Sequence, residues 1–218
     1  MVMCGIVAVR GRHSGAEALD RIKTLEYRGY DSAGIAVLTT NHHLYAERAI
    51  GPVDTLLDRV RGHDGPSIPS GRLAIGHTRW ATHGGVSLRN THPLFDCRDR
   101  VAVVHNGILN NASELRDELI ESGHRFTSDV DSEVIAHLIE QALDQDVPPF
   151  EALQQAVARL SGSWAIAVLV AEHNAVLVAR ARSPLMVRGT VGRFVVASDA
   201  AATVGVRGPL RVLDDGDI

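Results

Sequence analysis

The chain opens "MVMCGIV", and Cys4 is the residue there that could do covalent chemistry. A thiol at a chain's start can use the α-amino group as its base. That amine has a pKa of roughly 7.7 to 8.0, against about 10.4 for lysine, so much of it is neutral near pH 7. While Met3 remains bonded to Cys4, the same nitrogen is an amide and is not basic. An active form is therefore expected to begin at Cys4, reached by translation from Met3 followed by methionine removal. Taken alone, Cys4 is more simply a small buried apolar residue opening a strand.

In "VAVVHNG", Asn106-Gly107 is a strong hairpin signal. The following "ILNNASELRDEL" instead has the capping and apolar spacing of a helix. A turn here would present the Asn106 side-chain amide and the Gly107 N–H side by side. They would be two donors for the oxyanion of a tetrahedral intermediate, with glycine permitting close backbone approach. Arg79 offers a planar donor fork and Asp131 an anion, so together they could hold both charged ends of an amino acid. A surface charge and the N-cap of the "SEVIAHL" helix are the plainer explanations. Trp80, Thr82 and His83 share the Arg79 loop. Trp80 could shield a site from water or simply anchor a core; Thr82 and His83 could position a substrate. Arg28, in "EYRGYDSAG", sits where a helix should end, which suits a C-cap or dipole role. Spacing alone does not bring it to Cys4.

Elements must position these residues. Gly5 to Val9 reads as a buried strand, and "AEALDRIKTLEY" as a helix with Leu19, Ile22 and Leu25 on its stripe, ended by Gly29. "SAGIAVLTTNHHLYAERAI" suggests two strands around a polar turn, and Val53, Leu56, Leu57 and Val60 mark a further helix. "DGPSIPSG" reads as a loop. "RLAIGHTRW" and "RVAVVHNG" each read as a short strand running into a polar loop. The spacing predicts a helix over 113–121, capped by Asn111 with Glu114. Another begins near Asp131, and a third lies in "PPFEALQQAVARLSG", opened by proline and closed by Gly162. From Trp164 onward, "SWAIAVLVA", "AVLVARA", "LMVRG" and "RFVVASD" read as antiparallel strands. The order suits an α+β domain with two sheets and helices outside them.

Bulk properties narrow the function. With 218 residues and 45% hydrophobic content, one substantial core is expected, hence one domain. A net charge of -4 with scattered Lys and Arg offers no footprint for nucleic acid. The apolar runs fall short of the roughly 20 residues of a membrane span, and no signal peptide opens the chain, so a soluble cytoplasmic protein is expected. Cys4 and Cys97 make no disulfide framework, although one bridge is allowed by counting, and a reducing compartment fits better. The eleven histidines form no HExxH pair, and His77 and His83 lie six apart, so neither a metal nor a cofactor is expected. The ending "LRVLDDGDI" suggests a domain continuing into a longer chain.

"CGIV", "LEYRGYDSAGIAV", "GHTRWATHG", "VVHNGILNN" and "DVDSEVIAHL", with "ARSPL" and "VVASDA", resemble the glutaminase domain of the glucosamine-6-phosphate synthase family across nearly all of residues 1–218. The resemblance implies a four-layer αββα N-terminal-nucleophile fold with two antiparallel sheets, hydrolysing the side-chain amide of L-glutamine. It implies Cys4 as nucleophile, its freed amine as base, and Asn106 and Gly107 as the oxyanion hole. Arg79 and Asp131 would hold the α-carboxylate and α-amino group, Thr82 and His83 line the pocket, Trp80 act as a lid, and Arg28 lie beside the cysteine. Ammonia would pass to a sugar isomerase domain, on the same longer chain or a separate protein, with a homodimer as the full-length form. The stretch "GVSLRNTHPL" departs from the family pattern, which has proline two residues after the preceding glycine and an "NAHPH" segment. A glutaminase serving another sugar, or a non-catalytic module with a blocked Cys4, are the competing readings.

Overall fold

Alternation within "GIVAVR" sets the architecture. In β1 (Gly5–Arg10), Ile6 and Ala8 belong to one apolar cluster and Val7 and Val9 to another, all fully buried. A strand with two dry faces must lie in a sheet covered on both sides. The protein, described by a computed structural model over residues 4–61, 68–80 and 85–218, is built on that plan throughout.

In chain order, β1 is followed by α1 (Ser14–Thr24), β2 (Ser32–Thr39), β3 (Leu44–Ile50), α2 (Val53–Arg61) and β4 (Gly71–Arg79). Next come β5 (Leu94–Phe95), β6 (Val101–Leu109), α3 (Ala112–Glu121), α4 (Glu133–Leu143) and α5 (Pro149–Ala158). The chain closes with β7 (Gly162–Val170), β8 (Ala175–Ala181), β9 (Met186–Thr190), β10 (Arg193–Ala197) and β11 (Leu210–Val212). Seven strands form one sheet in the order β11-β9-β10-β1-β4-β2-β3, and four form the other, β5-β6-β7-β8. The named strand pairs are antiparallel.

Three cores separate four layers. Val7, Val9, Ile35 and Val37 pack under α1 and α2 with Leu19, Ile22 and Leu56. Ile6, Ala36, Leu73 and Ile75 of the larger sheet meet Ala102, Val104, Ala165 and Leu169 of the smaller. Val101, Val103, Ile166 and Val168 face Leu119, Ile135, Ile139 and Leu153 of α3, α4 and α5. Each fully buried branched side chain contributes about 1.5–3 kcal/mol of transfer free energy, so α4, buried along most of its length, is a principal clamp on the smaller sheet. Among the described residues, no helix is long and apolar enough to cross a membrane.

Several local expectations change. Asn106-Gly107 is not a turn: β6 runs through it, pairing Asn106 with Ala165 and Gly107 with Trp164. Gly107 does so at φ +134°, and a Cβ there would lie 1.9 Å from the Ser163 carbonyl oxygen. Only glycine lets the strands stay paired at that approach. No capping box opens α3, because the Asn111 side chain turns away to donate to Arg159 O and to accept from Ser161 N–H. Gly162 does not close α5, which ends at Ala158, but opens β7 at φ +128°. α1 stops at Thr24, and a separate short 3-10 turn carries Glu26–Arg28. The "DGPSIPSG" loop lies partly outside the described residues.

Candidate active site

β1 is a central strand, paired with β10 on one side and β4 on the other, and its register sets Gly5 opposite Thr78. Cys4 therefore lies beside the end of β4, where Arg79 and Trp80 leave the sheet. Trp80 N–H donates to Cys4 Sγ at 3.2 Å. Around this contact, the Gly5 N–H donates to Thr78 Oγ1 at 3.1 Å and the Ile6 N–H to Ser198 Oγ at 3.0 Å. Burial pushes the Cys4 thiol pKa up, against the Trp80 N–H and the charges of Arg79 and Arg28, which pull it down. The thiol is thus protonated at neutral pH, and attack by its sulfur requires a proton acceptor.

The Cys4 carbonyl is gripped by two donors, Asn106 Nδ2 at 2.6 Å and Arg28 Nε at 3.3 Å. Asn106 is 4% exposed, and its Oδ1 lies 3.0 Å from His77 Nε2, which also faces His105 O at 3.1 Å. Both partners are acceptors, so His77 carries its proton on Nε2. Burial lowers the His77 pKa to about 3, although both hydrogen bonds oppose the shift. A neutral imidazole of fixed tautomer thereby sets the Asn106 amide with its NH2 toward Cys4.

Arg28 reaches Cys4 because the "EYRGYDS" segment packs on the β4 exit. A Cβ at Gly29 would lie 2.6 Å from the Arg79 carbonyl carbon, the Asp31 N–H donates to Arg79 O at 3.0 Å, and Tyr30 meets the Trp80 ring edge-on at 5.1 Å. Arg28 Nη1 also contacts Asp199 Oδ2 at 3.0 Å, which Tyr27 Oη reaches at 2.8 Å. Against the cost of its burial, the Ala201 N–H, Tyr27 and Arg28 hold the Asp199 carboxyl below its usual range.

Arg79 is 4% exposed and lines a pocket with Cys4, Trp80, Gly107 and Asp131. Burial lowers the guanidinium pKa, opposed by the charges of Cys4, Asp31 and Asp131. Asp131 is no helix cap: Ser132 occupies the N-cap position of α4 without a side-chain cap bond. Instead, Asp131 Oδ2 accepts the Leu109 N–H at 2.9 Å and Oδ1 the Ser132 hydroxyl at 3.2 Å, tying the end of β6 to the start of α4. Ser132 Oγ lies 2.8 Å from His105 Nδ1. Each Asp131 oxygen retains a second lone pair for a ligand.

Of the residues singled out from sequence, Cys4, Arg28, Arg79, Trp80, Asn106, Gly107 and Asp131 thus converge on one region. Thr82, His83 and Met1 to Met3 lie outside the described residues. Cys4 and Cys97 are both free thiols. Sequence reasoning missed Thr78, Ser198, Asp199 and Ser132, and passed over His77 except as a failed metal pair. The available signal was polar side chains such as His77, Thr78 and His105 interrupting otherwise apolar strands.

The chain has the fold of the N-terminal-nucleophile hydrolases, with solved amidotransferases as close structural neighbours. Glutamine phosphoribosylpyrophosphate amidotransferase from B. subtilis superposes with a TM-score of 0.81 at 26% identity, covering 97% of this chain and 46% of that one. A structure described as the allosteric regulatory enzyme of purine biosynthesis gives 0.82 at 27% identity, over 97% and 45%. Residues 77–204 match the glutamine amidotransferase domain family, and the chain belongs to it. It is 46% identical over 99% of its length to glutamine--fructose-6-phosphate aminotransferase [isomerizing] of Pseudomonas putida, and 41% identical over 99% to the protein of the same name from Thermococcus kodakarensis. The chain spans 35% of the length of either relative.

Proposed function

We propose that residues 1–218 form one glutaminase domain, in which Cys4 hydrolyses the side-chain amide of L-glutamine to glutamate and ammonia. The observation that carries this reading is the meeting of three groups at one point: the Cys4 thiol, the Asn106 NH2 and the end of β4 bearing Arg79. Cys4 Sγ attacks the amide carbon while the freed Cys4 amine accepts the thiol proton. Asn106 Nδ2 and the Gly107 N–H take up the developing oxyanion, and the amine returns the proton to the departing ammonia. Water then hydrolyses the thioester to glutamate. Arg79 holds the α-carboxylate of glutamine and Asp131 its ammonium group. By resemblance to the family, Thr82 and His83 are further candidate contacts for glutamine; Trp80 closes the pocket, and Arg28 steadies the cysteine backbone.

The names of the relatives support the destination of the ammonia: amination of fructose 6-phosphate to glucosamine 6-phosphate by a sugar isomerase domain, in hexosamine biosynthesis. That domain lies on the same longer chain or a separate protein, and the assembly is a cytoplasmic homodimer. Glutamine hydrolysis by these side chains calls on no metal or cofactor.

Two preparations test the reading, one beginning at Cys4 and one retaining Val2 and Met3. The first is expected to release glutamate and ammonia from glutamine, and its Cys4→Ala variant to lose several orders of magnitude in rate while keeping its circular dichroism. Equal rates from the two preparations would overturn the amine as base. Full activity in the alanine variant would overturn the nucleophile.

A further inference from the structure

On the outer side of the smaller sheet, away from Cys4, the second cysteine faces two histidines and a glutamate. We propose that Cys97, His124, His137 and Glu140 are the four ligands of a structural zinc site. Cys97 Sγ lies 3.7 Å from His137 Nδ1 and 3.9 Å from His124 Nδ1, while Glu140 Oε2 lies 2.8 Å from His124 Nδ1 and 3.1 Å from His137 Nδ1. One ligand atom from each residue falls within 4.8 Å of the others. Zinc bonds of about 2.3 Å to sulfur and 2.0–2.2 Å to nitrogen or oxygen, at tetrahedral angles, separate ligand atoms by about 3.3–3.6 Å. The four contacts above lie within about half an ångström of those separations, and all of the ligand atoms stay within 4.8 Å of one another. One thiolate, two imidazoles and one carboxylate form a donor set suited to zinc, and their two negative charges balance a divalent ion.

The supporting shell also fits. His137 and Glu140 share one face of α4 at i,i+3 spacing, and their side chains are 0% and 2% exposed. Glu140 Oε1 faces Arg100 at 3.9 Å, leaving Oε2 to bind through one oxygen. The Arg125 N–H donates to Cys97 Sγ at 3.3 Å and the Cys97 N–H to Glu140 Oε2 at 3.2 Å. With metal on Nδ1, His137 carries its proton on Nε2, a buried atom that otherwise has no hydrogen-bond partner. Glu133 Oε1 stands 3.7 Å from it. Glu133 is itself fixed by the backbone N–H groups and hydroxyls of Thr127 and Ser128. A carboxylate behind a ligating imidazole is the usual outer partner of a zinc-bound histidine.

A groove of about 510 Å³, bordered by Cys97, His124 and Glu140, gives an ion its entry path, and none of its lining residues borders the Cys4 pocket. On binding, the thiol gives up its proton to solvent, and each imidazole binds as the neutral tautomer with its proton on Nε2. The ion would tie the β5–β6 connection, the segment after α3 and α4 into one unit. No sequence motif announces it, because only His137 and Glu140 are close in sequence.

The test uses untagged protein stripped with a chelator and titrated first with Co²⁺, then with Zn²⁺. One Co²⁺ per chain is expected, with the visible bands of a tetrahedral ion, a thiolate-to-cobalt charge-transfer band, and one-for-one displacement by Zn²⁺. Zinc should raise Tm. Cys97→Ala and His124→Ala, at the outer end of the cluster, should keep the far-UV circular dichroism and weaken zinc at least about 100-fold, the upper end of what losing an outer-shell partner costs. Cys4→Ala should bind as the parent does, which separates this site from the glutaminase reading. Absence of stoichiometric binding, or a thiolate band that survives Cys97→Ala, would overturn the proposal.

Discussion

Asn106 is held at both ends, its oxygen by His77 Nε2–H and its nitrogen on the Cys4 carbonyl. If that NH2 also meets the oxyanion, Asn106→Ala should lower turnover by roughly 10²-fold or more with little change in glutamine affinity. Steady-state and binding measurements on one preparation check this; weakened binding with unchanged turnover would make Asn106 a substrate contact. His77, His92 and His105 lie behind it, only 1%, 4% and 3% exposed, and burial lowers the pKa of each. Unfolded, they protonate below pH 6.5; folded, His77 does so only near pH 3. The unfolded state then binds more protons, so stability present above pH 6.5 is lost as the pH falls through that window. Urea unfolding between pH 7.5 and 5 should show this decline. His92→Leu should make it shallower by up to one proton, about 1.4 kcal/mol per pH unit. An unchanged slope would mean that His92 protonates in the folded state. At this scale the sequence was informative about residue type: Cys4, Arg79, Asn106 and Asp131 invite chemistry by what they are. Ser198 and Asp199 did not, because they act on Ile6 and Arg28, 192 and 171 positions away, and no local spacing encodes such pairs.

Periodicity carries most of the information about elements. It located β1, β2, β3 and α2 closely because each alternates, or repeats every three to four residues, between faces that the fold treats differently. It failed where a side chain had a better distant partner. Asn111 has the type and position of a cap yet bonds the chain before β7, and Asp131 ties β6 to the residue that opens α4 instead of capping the helix. Asn106-Gly107 fits a tight turn as well as it fits a strand, and the close approach of Ser163 decides for the strand. α4 is where these threads meet, with its stripe in the core beneath the smaller sheet and the residues just before it, Val130 to Ser132, at the Cys4 pocket. Ile139 is fully buried there. Ile139→Ala should destabilise the protein by about 2–5 kcal/mol, measured by denaturant titration. The activity lost should track the unfolded fraction; activity lost from fully folded protein would instead mean that α4 moves the site.

For the whole molecule, the proposed division of labour predicts that this chain alone turns glutamine into glutamate and ammonia. With fructose 6-phosphate added, it should form no glucosamine 6-phosphate. Amino-sugar analysis of the mixture checks this, and any sugar product would place acceptor chemistry within these 218 residues. The four layers were inferred from element order and family resemblance, but the neighbours of each strand were not legible, because antiparallel pairing leaves no mark on sequence distance. The position of β1 has a temporal consequence. This strand leaves the ribosome before β10, at Arg193–Ala197, which forms one of its flanks. Until β10 emerges, that edge of the strand following Cys4 has no native partner, and the Ile6 N–H waits for a serine 192 residues downstream. Such distant pairings make the loop-closure entropy large and folding slow. A nascent chain therefore carries the Cys4 thiol through the synthesis of the 192 residues that separate Ile6 from Ser198 before the sheet around it closes, and until then it offers chaperones an unpaired apolar edge. The order of synthesis itself would then act as a safety catch on the proposed nucleophile.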